Sequence, residues 1–178
     1  GAPAPISDRG EATYHLMLGE MALKRGQLEE AATHYRLAAE LDPDPQTAEK
    51  ALELAVMVGD QDEALLSARR WYELSPGESE PARQYASLLL EADKISAAVQ
   101  VLRELLKINM ASGEPHSELT LLSIGLEMDD SALALKTMKK VLGKRPDSAA
   151  GMVVLSSLAL VAGEDEEAEK YARAASVA

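Results

Sequence analysis

His15, His34 and His116 are the only imidazoles in the 178-residue chain, and it contains no cysteine. Imidazole and thiolate are the ligands zinc prefers, and imidazole is the commonest general base, so these positions bound the chemistry open to the chain. His15 and His34 are expected on facing helices, but no third ligand accompanies them, and packed or solvent-exposed rings are expected instead of a metal site. The missing cysteine removes disulfides, thiolate metal sites and cysteine nucleophiles together. No G-x-S-x-G, no H-E-x-x-H and no phosphate-cradling glycine loop occurs. Carboxylates are abundant, yet Glu164-Asp165-Glu166-Glu167 and Asp129-Asp130 fall where helices are expected to start, where they complement the helix dipole. Neither run has the alternating spacing of a calcium loop. The expectation is a non-enzymatic chain with no catalytic, cofactor-binding or metal-binding residues.

What remains is the scaffold. Apolar residues make up 47% of the chain, aromatics only 3%, and phenylalanine is absent, which is the palette of closely packed helices. The net charge of −12 repels nucleic acid and anionic headgroups alike. No apolar run approaches the roughly 20 residues that cross a bilayer, so no direct membrane insertion is expected. The opening GAPAPISDRG has neither a basic nor an apolar signal-peptide region, and residues 1–11 read as a flexible segment or linker.

The stretch GQLEEAATHYRLAAELDPDP contains Gly26, Ala31 and Pro43, and the same spacing returns as Gly59, Ala64 and Pro76. Asp129, Ala134 and Pro146 repeat it with one substitution, Asp93, Ala98 and Met110 with two, and Gly163 with Ala168 as far as the chain runs. The alanines are separated by 33, 34, 36 and 34 residues. A fixed period of this length is the mark of stacked repeats. Within each unit the glycine suits a helix C-terminus, acidic residues a helix start, and proline a stop. Helix pairs are therefore expected at 12–25 with 28–41, 46–58 with 61–74, 79–92 with 95–108, 115–128 with 131–144, and 149–162 with 165–177. Leu18, Leu54, Leu89, Leu121 and Leu155 are expected in the core, with Tyr35, Trp71, Leu102 and Val141 supplying bulk. For Trp71 two readings stand: burial, or an exposed aromatic patch with Tyr72.

Leu18-Gly19, Gly26, Ala31, Tyr35, Ala38 and Pro43 resemble the tetratricopeptide repeat (TPR), and the resemblance covers residues 12–178. It implies an all-α, right-handed superhelical solenoid of about five antiparallel helix pairs, with units near 12–44, 45–78, 79–112, 115–148 and 149–178. Where the first unit has Gly19, the others have Leu52, Ala86, Leu122 and Ser156. In this family a small residue there meets the repeated alanine, so looser packing is expected at Leu52 and Leu122. The longer 36-residue interval places a longer turn at residues 111–114.

The resemblance also implies that first helices line a concave groove. The lining residues would be Leu16, Glu20, Leu23, Lys24, Glu49, Glu53, Val56 and Met57 in the first two units. Arg83, Ser87, Leu90 and Glu91 would follow, then Leu119, Ser123, Leu126 and Glu127, then Val153, Ser157, Leu160 and Val161. Members that grip chaperone C-termini use Lys, Arg and Asn; Leu16, Glu20, Glu49 and Glu53 suit a basic and apolar protein segment better. The chain ends at KYARAASVA without a polar capping helix, which suggests a piece of a longer array or self-association through an exposed end, as in a homodimer. A targeting arm of an enzyme lying outside the chain is a further reading. Residues 47–90 are also similar to the repeat region of bacterial envelope adaptor lipoproteins, one of which binds a carboxy-terminal processing protease. That similarity implies a periplasm-facing scaffold.

Overall fold

In a computed structural model of the chain, which describes Ala2, residues 6–144 and residues 146–178, every regular element is a helix. The ten helices among the described residues are α1 (Ile6–Lys24), α2 (Leu28–Leu41), α3 (Pro45–Val58), α4 (Gln61–Leu74) and α5 (Ser79–Glu91), followed by α6 (Ile95–Ala111), α7 (Leu119–Glu127), α8 (Ser131–Leu142), α9 (Ala149–Val161) and α10 (Asp165–Ser176). All second helices begin where the spacing predicts.

Local chemistry explains the boundaries. Asp44 accepts from the Gln46 amide at 2.9 Å and Pro45 opens α3, while Asp60 and Asp130 each cap through an amide three residues on. Gly59 closes α3 at φ 72°, a left-handed conformation that an L side chain resists. Asp93, which replaces glycine in the third copy, takes φ 58° regardless.

Three expectations change. Helix α1 begins at Ile6, so residues 6–11 are helical; Gly1 and residues 3–5 lie outside the described residues. Helix α6 runs on to Ala111, and α7 starts at Leu119 instead of 115. Pro115 and the left-handed His116, at φ 55°, occupy what would have been the first turn of α7. The third change is at Leu18, which is half-buried; α1 reaches the core through Ala12 and Ala22.

The helices gather into two compact units, Gly1–Leu88 and Leu89–Ala178. In the first, α2 packs against α1 and α3, and α4 against α2 and α3. Its core is built on Ala31, Ala39, Ala48, Ala51, Ala55, Ala64 and Ala68, with Tyr35, Leu52, Leu54 and Trp71 filling the space between. Alanine lets helix axes approach, and the few large rings then occupy what remains. Gly19 shows the fit: a Cβ there would lie 2.9 Å from the Tyr35 ring. The small residue thus answers an aromatic ring, not the repeated alanine. One repeat on, the sizes exchange, with Leu52 in the glycine's place and Ala68 in the tyrosine's, both buried. The larger residue at one position is thus matched by the smaller at the other, within one core cluster. In the second unit α9 packs against α7, α8 and α10, and α6 against α8; Leu102, Leu105, Leu121, Met138, Val154, Leu155 and Leu158 are buried.

Candidate functional site

Large apolar side chains that remain exposed fall mainly on the first helices of four of the five pairs. They are Tyr14, Met17 and Met21 on α1, Val56 and Met57 on α3, Leu119 and Leu126 on α7, and Val153, Leu160 and Val161 on α9; among the described residues the second helices contribute Leu66 and Met110, and Val177 follows α10. Exposed apolar surface repeated on equivalent helices is what a partner surface requires and a core does not.

Within the first unit, α3 gathers four of the predicted residues around one recess of about 410 Å³. Glu49, Glu53, Val56 and Met57 line it from α3, Gln84 from α5, and Leu52 and Trp71 complete the lining. The spacing of 49, 53 and 56 places these side chains on one helix face. Glu49 is half-buried and Glu53 exposed, and neither has an ion-pair partner among the described residues. Trp71, the chain's single tryptophan, is 6% exposed, which decides for burial, while its neighbour Tyr72 is half-buried against Tyr85 with ring centroids 5.4 Å apart. The recess thus offers two unpaired carboxylates beside Val56, Met57 and an indole.

The other predicted lining residues divide. Glu20, Lys24, Glu91, Leu119, Ser123, Leu126 and Glu127 are exposed. Glu20 lies close enough to Tyr35 that, after burial, its charge helps push that phenol up. Leu16 and Leu23 are half-buried, packed against the first unit's core, and Leu90 is buried. Ser87 keeps its hydroxyl oxygen enclosed without a partner. Arg83 donates to both Glu80 oxygens, at 2.6 and 3.0 Å, and that hydrogen bonding holds the Glu80 carboxyl below the usual carboxylate range. On α9, Val153, Leu160 and Val161 are exposed and Ser157 half-buried. Gln84 and Leu52 escaped the sequence reading; Gln84 adjoins Arg83, and one residue along a helix rotates the side chain by about 100°.

His15 and His34 meet across α1 and α2, with Nδ1 atoms 3.0 Å apart and ring planes 26° from parallel. One imidazole must donate and the other accept, so the two carry opposite Nδ1 protonation. Among the described residues no group of three His, Asp or Glu could hold a metal, and no helix is long and apolar enough to cross a membrane.

Residues 12–45 and residues 126–177 each match a family model described as tetratricopeptide repeat. Those two stretches are tetratricopeptide repeats. TPR repeat-containing protein PA4667 of Pseudomonas aeruginosa is 24% identical over 139 residues, which is 78% of this chain; the chain spans 23% of that protein's length. A crystal structure of MamA protein superimposes with a TM-score of 0.52 at 18% identity, covering 93% of this chain and 90% of that one. A second MamA crystal structure gives 0.51 at 19% identity, covering 89% and 92%. These two likenesses concern the fold, all-helical and without strands among the described residues. Tetratricopeptide-repeat proteins are in general non-enzymatic scaffolds, and the fold supports a protein–protein interaction module.

Proposed function

We propose that the chain is a non-enzymatic adaptor whose first unit binds a protein segment carrying a basic residue next to an apolar one, seated in the recess on α3. The observation that carries this is the pairing of unpartnered Glu49 and Glu53 with the exposed Val56 and Met57 over Trp71. A lysine or arginine side chain is apolar along its stem and charged at its tip, so it can lie on the apolar wall while its head meets the carboxylates. The cation also gains from the indole face if it reaches it.

Because Trp71 is the sole tryptophan, its emission reports on occupancy of the recess. Short peptides alternating Lys or Arg with Leu should change that emission saturably, and the same peptides with Glu replacing the basic residues should not. Glu49→Lys with Glu53→Lys should weaken binding at least tenfold, and unchanged binding by that variant removes the assignment. An envelope adaptor role beside a processing protease is the narrower form of this reading and rests on the likeness of residues 47–90.

Self-association is a second reading, favoured by the exposed Val153, Leu160 and Val161 on the charge-free helix α9. Sedimentation over a range of concentrations tests it, and a strictly monomeric chain rules it out.

A further inference from the structure

We infer that the second unit carries another binding site, of the opposite charge preference, in the recess between α8 and α10, and that it takes an acidic protein segment bearing an apolar side chain. The recess has a volume of about 830 Å³, within the range of ligand-binding pockets. Its lining comes from α8, the α8–α9 connection, α9 and α10. It shares no residue with the recess on α3.

The walls are held in place by contacts that tie these elements together. Tyr171 donates its hydroxyl to the Lys144 carbonyl at 3.0 Å, which joins α10 to the α8–α9 connection. Lys139 of α8 is ion-paired with Glu167 of α10. Gly151 sits so close to Pro146 that a Cβ would fall 2.8 Å from it, which seats the connection on α9. A site formed by such fixed contacts loses little freedom when it is filled.

Charge decides the class of ligand. Lys144 and Lys170 line the recess, are exposed, and have no ion-pair partner among the described residues. Of the two carboxylates in the lining, Glu167 is taken up by Lys139, which leaves Glu166 against two free ammoniums. The lining thus holds three lysines against two glutamates, and the stretch 136–144 that supplies two of those lysines contains four in all and no carboxylate. In a chain of net charge −12 this local reversal attracts an anionic segment here and repels it elsewhere. The rest of the lining is apolar: Pro146, Met152 and Ala174, with the half-buried ring of Tyr171. A phosphate group or a polyanion would leave that surface unfilled, and an apolar side chain covers it. Carboxylates flanking a leucine or phenylalanine satisfy both parts of the recess.

Amide-shift mapping on the full chain tests this with four probes. A capped Glu-Asp-Leu-Phe-Asp-Glu peptide should shift the second half of α8, residues 146–152 and α10 saturably. The peptide with Ser in place of Leu and Phe, and inorganic phosphate, should bind at least tenfold more weakly, and a Lys-flanked Leu-Phe peptide should leave these amides unmoved. Lys144→Glu with Lys170→Glu, both at exposed positions, should weaken the acidic peptide at least tenfold while circular dichroism shows the helices intact. No shift at the recess, equal binding of phosphate or of the Ser peptide, or full binding by the double variant overturns the proposal.

Discussion

The two compact units reach the same helical fold with different materials. The first buries mostly alanine around Tyr35 and Trp71, whereas the second buries mostly Leu, Val and Met and has Tyr171 as its single aromatic residue. Charge differs as well: residues 1–88 carry 16 carboxylates against 8 Lys and Arg, and residues 89–178 carry 14 against 10. An alanine-lined contact has its volume set by backbone approach and fails when a residue is enlarged; an aliphatic contact has its volume set by side chains and fails when one is truncated.

Ala51 and Leu155 make this difference testable, because they occupy the same position in the repeat, one before Leu52 and one before Ser156, and both are fully buried. Leu155→Ala should cost about 2–5 kcal/mol, through lost transfer energy and a cavity. Chemical denaturation followed by circular dichroism measures it, and a loss under about 1 kcal/mol would mean that the second unit's core is loosely packed. The reverse change, Ala51→Leu, should cost about 1–3 kcal/mol by overpacking, although it adds apolar surface. If it stabilises instead, the alanine contacts leave room and the contrast between the units fails. The transition should be followed with Trp71 as well as by backbone signal, since two units can unfold separately.

How much of this was legible in the sequence depends on the distance over which each feature is determined. The starts of second helices are legible because the repeat spacing marks them: Asp60 and Asp130 cap α4 and α8, and α2, α6 and α10 start at the same repeat position without a side-chain cap. Helix α7 starts later than the spacing predicts because Pro115 and His116 disrupt its first turn without disturbing the repeat count. The burial of Leu16, Leu23 and Leu90 is not legible at that range, because repeat position gives a helix face only approximately and the neighbouring helix decides what that face covers. The recess between α8 and α10 leaves a trace in the sequence: four lysines within residues 136–144 of an acidic chain.

The exchange of sizes between Gly19 with Tyr35 and Leu52 with Ala68 predicts coupling within the first unit. Gly19→Leu alone should destabilise, since even a Cβ meets the Tyr35 ring. Adding Tyr35→Ala recreates the arrangement of the next repeat and should recover part of the loss, giving about 1 kcal/mol of favourable coupling in a double-mutant cycle. Strict additivity would mean that the two positions do not share one space.

The smallest expected effect concerns helix entry and has the opposite sign. Asp60 and Asp130 cap α4 and α8, but the equivalent position before α6 is Lys94, whose side chain accepts nothing and whose charge opposes the helix dipole. Lys94→Asp supplies an acceptor for the amide three residues on and reverses the charge at the helix N-terminus. It should stabilise the second unit by about 0.5–1 kcal/mol, read as a rise in the denaturation midpoint with an unchanged slope. Part of the gain is electrostatic, so it should shrink as salt is added, while the hydrogen-bonded part persists. A neutral outcome at low salt would show that the chain enters α6 at an angle, ψ 66° against 94° and 98° at Asp60 and Asp130, that does not bring a side chain at 94 within reach of the amide.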